Sequence, residues 1–208
     1  MADLLHISAS PRGGASRSLA LASGFTEAYQ DAHPDAHVLR WDLWDGSLPE
    51  FGPAAAHAKM ANLAGDPLTP DQESAYQKVR DAFARFDAVD RYLFSVPMWN
   101  GTVPYILKQF IDVVSQPGLV FEFDPETGYT GLLTGKKAVV LYTSAVWAPG
   151  RPPAFGSDFQ QPYVENWLRW AGVSELASIR LPAAAGTDDP DVLLRRAHAE
   201  LAAAAVAL

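Results

Sequence analysis

No cysteine occurs among the 208 residues, which removes disulfide frameworks, thiolate metal ligands, iron–sulfur clusters and cysteine nucleophiles together. Any redox chemistry therefore has to come from a bound cofactor. Basic charge is scarce as well: 16 Lys and Arg against 24 Asp and Glu leave a formal net charge of −8, with no basic cluster beyond the pairs Lys136-Lys137 and Arg195-Arg196. The electrostatic footprint of a nucleic-acid binder is missing. No stretch approaches the roughly 18 consecutive apolar residues that suggest a membrane span. Met1-Ala2-Asp3-Leu4-Leu5-His6 lacks the basic start of a secretory signal, so a cytoplasmic protein is expected. Neither G-x-x-x-x-G-K-[ST] nor G-x-G-x-x-G occurs, which disfavours a P-loop and a dinucleotide-binding Rossmann site. His6, His33, His37, His57 and His198 show no metal-ligand spacing, and no metal site is expected.

Hydrophobic residues make up 49% of the chain and charged residues 19%, the balance of a packed globular protein. The length suits one domain spanning residues 1–208. Short apolar runs alternate with segments of helical period, the signature of βαβ units and a mostly parallel sheet. Strands are expected at residues 4–8, 37–43, 88–96, 137–144 and 176–181. Helices are expected at residues 16–30, with Leu19, Ala22, Phe25 and Ala28 on one face, then at 70–86, 102–114, 160–171 and 189–206. Thr69-Pro70-Asp71-Gln72 reads as an N-cap with proline in the first turn, and Thr187 or Asp188 as the cap of the last helix. Residues 44–66 and 116–135, rich in Gly, Pro and small residues, read as long loops, which in compact domains usually carry function.

In an open α/β sheet the ligand sits beyond the carboxyl ends of the strands, where strand order reverses. After the first strand comes Ser10-Pro11-Arg12-Gly13-Gly14-Ala15-Ser16-Arg17-Ser18. Small hydroxyls, a helix N-terminus and Arg17 together suit a phosphate monoester, although Ser16 could equally be a simple helix cap. Gly14-Ala15-Ser16-Arg17-Ser18 misses the nucleophile-elbow motif at its last position, which disfavours a serine hydrolase. After the third strand stands Ser95-Val96-Pro97-Met98-Trp99-Asn100-Gly101-Thr102-Val103-Pro104. Met98 and Trp99 either line a flat aromatic ligand or pack into the core. Thr143-Ser144-Ala145-Val146-Trp147 follows the fourth strand. With the strand order 2-1-3-4-5 these three exits share one crevice.

The stretch Pro97-Met98-Trp99-Asn100-Gly101-Thr102-Val103-Pro104-Tyr105-Ile106-Leu107-Lys108-Gln109-Phe110-Ile111-Asp112 resembles a segment of the FMN-dependent NADH azoreductases and NAD(P)H quinone reductases, within the flavodoxin-like superfamily. Pro117-Gly118-Leu119-Val120-Phe121, Gly131-Leu132-Leu133-Thr134-Gly135-Lys136-Lys137-Ala138 and the Ser10 to Ser18 loop are similar to further family elements. The resemblance implies a flavodoxin-like, doubly wound five-stranded parallel sheet with helices on both faces. It also implies an oxidoreductase that passes a hydride from NADH or NADPH through FMN to quinones or aromatic azo compounds, in ping-pong fashion. By the same resemblance Ser10, Ser16, Arg17 and Ser18 hold the phosphate and ribityl end of FMN. Pro97, Met98, Trp99, Asn100 and Gly101 then face its ring system, and Ser144, Ala145 and Val146 form the third contact.

Phe121 and Trp147 are the expected rim of a substrate pocket, and a homodimer with interfacial sites is implied, with residues 121–130 bordering the pocket. No side chain is assigned as catalytic acid or base. The sequence departs from the family pattern at Gly101, where phenylalanine is usual, and at Ser144-Ala145-Val146-Trp147, which replaces Ser-Arg-Gly-Gly. Two alternatives remain in play: a flavodoxin-type electron carrier without its own small-molecule turnover, and a flavin-free structural or regulatory domain.

Overall fold

In the computed structural model, residues 3–181 and 190–208 are described, with side chains described for 3–181 and 197–208. Seven strands and six helices follow one another among them: β1 Leu4–Ser8, α1 Arg17–Ala32, β2 Val38–Asp42, α2 Pro53–Ala64, α3 Pro70–Asp87, β3 Arg91–Pro97, α4 Tyr105–Val114, β4 Phe121–Asp124, β5 Gly128–Gly131, β6 Lys137–Thr143, α5 Gln161–Trp170, β7 Glu175–Leu181 and α6 Pro190–Ala207. Thr187 and Asp188, the expected caps of α6, lie outside the described residues.

Five strands form one parallel sheet in the order β2-β1-β3-β6-β7. With the two hairpin strands β4 and β5 set apart, this is the expected order 2-1-3-4-5. β1, β3 and β6 are central, and their apolar runs are buried almost throughout because both faces are covered. Alternate side chains point to opposite faces, and the core divides accordingly. Leu4, Leu93, Val139 and Leu141 pack with Leu21 and Phe25 of α1 and Leu201 of α6. Leu5, Tyr92, Phe94 and Val140 pack with residues of α2, α3, α4 and α5. On that second face Phe86, Phe94, Phe110 and Trp167 form an aromatic cluster with ring centroids 5.3–6.4 Å apart, a spacing suited to edge and offset contacts. The buried face of α1 is Leu21, Ala22, Phe25 and Tyr29. Leu19 and Ala28 are only half-buried, so the expected face is rotated by part of a turn.

The two segments expected to be loops each contain regular structure. Residues 53–64 form α2, with Gly52 as N-cap, Pro53 in the first turn and a left-handed Gly65 closing it. Those flanking residues are helix start and stop signals that in the sequence pass for loop composition. Residues 121–131 form an antiparallel hairpin, β4 against β5, whose turn is held by Asp124 Oδ1 accepting from the N–H groups of Glu126 and Thr127 at 2.8 Å each. The hairpin docks on the end of α5 through two glycines. A Cβ on Gly131 would stand 2.3 Å from the Gly172 nitrogen and 2.5 Å from the Trp170 carbonyl oxygen, so only glycine allows the two main chains to touch.

α4 starts at Tyr105, three residues later than the expected opening at Thr102, because Pro104 takes the N-cap position. α3 begins with a complete capping box between Thr69 and Gln72, as its sequence predicts. At the amino end of the sheet the buried Lys136 donates to the carbonyls of Asp87 and Val89 at 2.7 and 2.8 Å and pairs with Asp87 at 2.9 Å. This pins the α3–β3 turn to the start of β6.

Candidate functional site

The register of the sheet brings the carboxyl ends of β1, β3 and β6 side by side: Ser8 lies opposite Ser95, and Pro97 opposite Thr143. Ala9 N donates to the Ser95 carbonyl at 3.2 Å and Met98 N to the Thr143 carbonyl at 2.7 Å, extending the ladder into the loops.

The first loop winds through a 3-10 turn, Gly13–Ala15, into α1. Ser16 does cap the helix, accepting from Leu19 N at 3.3 Å. Its hydroxyl also lies 3.0 Å from the Ser18 hydroxyl. Since a serine oxygen has two lone pairs and one proton, capping leaves capacity for a ligand, and the two readings of Ser16 are compatible. Ser10, Ser16 and Ser18 are all buried. The N–H groups of the first helical turn have no preceding helical carbonyl to bond, so they carry the positive end of the helix dipole. Arg17 is half-buried and its Nη1 donates to the Ser144 carbonyl at 3.4 Å, linking the first loop to the third. Burial holds its guanidinium below the ordinary arginine range.

The second loop closes as a two-residue hairpin. Trp99 and Thr102 exchange N–H···O bonds of 2.9 Å each, with Asn100 at φ 50° and Gly101 at φ 80°. Asn-Gly is the preferred pair for a turn with two positive φ values. Pro97, Met98, Trp99 and Gly101 are half-buried and Asn100 is exposed, so the turn presents both backbone and an indole. In the third loop the Ser144 hydroxyl donates to the Trp147 carbonyl. Ala145 and Val146 are exposed, and Trp147 is half-buried against the guanidinium of Arg180, 4.8 Å from the ring centroid.

The structure therefore gathers the residues expected from the three loops at one end of the sheet. It does not bring Phe121 there within one chain. α5 starts beside the crevice, where Gln160 Nε2 reaches the Val96 carbonyl at 2.9 Å, and runs to the other end of the sheet. Phe121 packs on its last residue, Trp170, at 4.8 Å, and on Tyr129 at 5.4 Å.

Three aromatic contributors, Trp44, Tyr105 and Tyr163, were not singled out from the sequence. Trp44, just after β2, donates its indole N–H to the Ala9 carbonyl at 3.0 Å and sets its ring 5.9 Å from Trp99 and 5.1 Å from Tyr105. Beside it a cleft of about 420 Å³ runs between Trp99, Tyr105 and Tyr163, with Lys108 on its wall. Burial, with the nearby Asp112 adding to it, pushes the Tyr163 hydroxyl up to about 12. A second cleft of about 480 Å³ takes in Gly13, Gly14 and Ser16 and continues along α1 toward Val38 and Arg40. His6 Nε2 and the Ser95 hydroxyl are 2.9 Å apart under the first loop. The Ser8 hydroxyl beside them is buried with no partner. Among the described residues no group of three or more His, Asp or Glu side chains could hold a metal ion, and no helix is long and apolar enough to cross a membrane.

A parallel α/β sheet of this order, with a hydroxyl-lined helix N-terminus and an aromatic turn meeting at its carboxyl end, defines a flavodoxin-like protein. The chain belongs to the flavodoxin-like fold family, whose sequence profile matches residues 2–205. It is 42% identical to the FMN-dependent NADH:quinone oxidoreductase of Ruegeria pomeroyi, over 98% of this chain and 100% of that one. To the protein of the same name from Nitratidesulfovibrio vulgaris strain Hildenborough it is 41% identical, over 91% of this chain and 90% of that one. Among solved structures, an azoreductase from Bacillus anthracis superposes over the full length of both chains with a TM-score of 0.90 at 24% identity, a likeness of fold.

Proposed function

We propose that this chain is an FMN-dependent oxidoreductase that takes a hydride from NADH and delivers it to quinones or aromatic azo compounds. The observation that carries this is the meeting of three strand exits, tied across by the contact between Arg17 and Ser144. The residues fit FMN. Three buried hydroxyls, Arg17 and the α1 N-terminus provide for a phosphate dianion. The Trp99 turn and the exposed residues Ala145 and Val146 provide for a flat ring with polar edges. When bound, FMN supplies the two-electron chemistry, accepting hydride in one half-reaction and releasing it in the other.

The protein's part is to bind, orient and shield. Ser10, Ser16, Arg17 and Ser18 fix the phosphate end. Pro97, Met98, Trp99, Asn100 and Gly101 form one wall, and Ser144, Ala145 and Val146 the other. Trp44 buttresses the first wall through Trp99, and Trp147 borders the open side. No side chain is required to move a proton. The electron-carrier reading is set aside because relatives aligned over nearly the whole chain are named as NADH:quinone oxidoreductases.

Residues 1–208 act as one flavodoxin-like domain, and two copies pair. The support for pairing is that Phe121 sits far from its own crevice, while Phe123 and Tyr129 on the hairpin, with Tyr105 and Phe159 near the crevice, are large aromatics left exposed. Exposed apolar surface of this kind marks contact surfaces. In a dimer the hairpin of one copy borders the pocket of the other. The test is a visible spectrum of the purified protein with FMN, then anaerobic addition of NADH and of a quinone. Bleaching by NADH and recovery on quinone are expected; bound flavin that NADH fails to bleach would overturn the reading. A monomer in sedimentation analysis would overturn the pairing.

A further inference from the structure

Arg180 stands on β7, the edge strand, opposite Tyr142 of β6, and its side chain is nearly buried. Each of its three nitrogens donates. Nη2 pairs with Asp158 at 2.7 Å, Nη1 donates to Gln160 Oε1 at 3.2 Å, and Nε and Nη2 donate to Gln161 Oε1 at 3.3 and 3.0 Å. The same plane lies 5.1 Å from the Tyr142 ring centroid and 4.8 Å from that of Trp147. Only a planar, multidonor cation can satisfy these partners together.

Each partner leads on to a wall of the crevice. Trp147 belongs to the loop after β6. Asp158 uses its second oxygen to accept from the N–H groups of Gln160 and Gln161 at 2.9 and 3.1 Å, shaping the entry to α5. From that entry Phe159 N donates to the Gly101 carbonyl at 2.8 Å, the Thr102 hydroxyl donates to the Phe159 carbonyl at 3.4 Å, and Gln160 Nε2 donates to the Val96 carbonyl at 2.9 Å. The turn after β3 is therefore held through the α5 entry, and the loop after β6 through the indole, from one guanidinium.

We propose that Arg180 is a positioning residue of the flavin crevice: it clamps the Ser144 to Trp147 loop and the Trp99 to Thr102 turn at one fixed separation. Its consequence for the flavin rests on the function proposed above. Arg180 acts through Trp147, Asp158 and Gln160.

The clamp predicts a local response in the apoprotein. In Arg180→Lys the charge and the Asp158 pairing survive, but the fork and the stack are lost. Amide exchange at Trp99, Thr102 and Phe159 should then speed up by about ten-fold, with β1 amides unaffected. FMN, titrated by quenching of its fluorescence, should bind about ten-fold more weakly, and the visible circular dichroism of the bound flavin should change. Unaltered exchange in a folded Arg180→Lys protein would overturn the clamp, as would unaltered FMN affinity and dichroism. If Arg180→Lys fails to fold, Gln161→Ala decides: it strips one acceptor from the fork without leaving a buried charge unpaired. The same three amides must exchange faster there, and unchanged rates overturn the proposal. A wild-type protein that binds no FMN overturns the proposed function, while exchange in the apoprotein still decides the clamp.

Discussion

Arg17 Nη1 reaches the carbonyl oxygen of Ser144 at 3.4 Å, so the first turn of α1 and the loop after β6 share a cation. Arg17→Met removes that tie together with one charge from the proposed phosphate end. A hydrogen bond to a charged group is worth about 1.5–3 kcal/mol, which corresponds to roughly ten- to hundred-fold weaker FMN binding. Fluorescence-quenching titration measures it; an unchanged dissociation constant would place the phosphate elsewhere.

Gly101 sits at φ 80°, with the Ser157 carbonyl oxygen 3.2 Å from where a Cβ would stand. Restoring the phenylalanine usual in the resembled family, as Gly101→Phe, places a side chain in left-handed backbone and costs about 1–2 kcal/mol. Urea unfolding of the two proteins reads this directly. Equal midpoints would mean that the turn rebuilds around the new side chain.

His6 is buried next to Ser95, and burial, helped by Arg40, lowers its pKa from 6.5 to about 4. The unfolded chain takes up a proton near pH 6.5 while the folded protein resists until near pH 4. The contribution is thus complete above pH 6.5 and is lost as pH falls across that window, on the order of 3 kcal/mol in all. Denaturant titrations at pH 7, 5.5 and 4.5 should show this slope in the wild type and a shallower one in His6→Gln. Parallel slopes would remove His6 as the cause.

At the hairpin, Gly131→Ala forces a methyl group against main chain at 2.3–2.5 Å. Overpacking of this kind costs about 1–3 kcal/mol or more, and the hairpin yields before the sheet does. Faster amide exchange across Phe121–Asp124 and Gly128–Gly131, with β6 unaffected, is the expected result. Unchanged hairpin exchange would show that α5 shifts instead.

The five sheet strands and α3 were legible because their signals are local: short strands of five to seven residues, the central ones mostly apolar, and a cap whose partner is three residues away. α2 was missed because its alanines give no periodic contrast and its Gly52, Pro53 and Gly65 read as loop composition. β4 and β5 are only four residues each, too short for alternation to register. The exits after β1, β3 and β6 could be nominated from strand order and loop composition, while the individual contacts along them came only from the family resemblance. Trp44 and Arg180 could not. Their roles depend on Ala9, Asp158 and Trp147, which only the folded chain brings to them.

The contact between Gly131 and Gly172 also divides the hairpin into parts of unequal freedom. Its base is fixed by main chain meeting main chain and by Leu133 N donating to the Ala171 carbonyl at 2.9 Å, whereas its tip, residues 125–127, is exposed and is held by Asp124. Tips of other length or composition can be grafted between Asp124 and Gly128 without re-registering the base. On the pairing proposed above, the tip would face the pocket of a second copy, and exchanging it would change acceptor preference while the three strand exits keep their geometry.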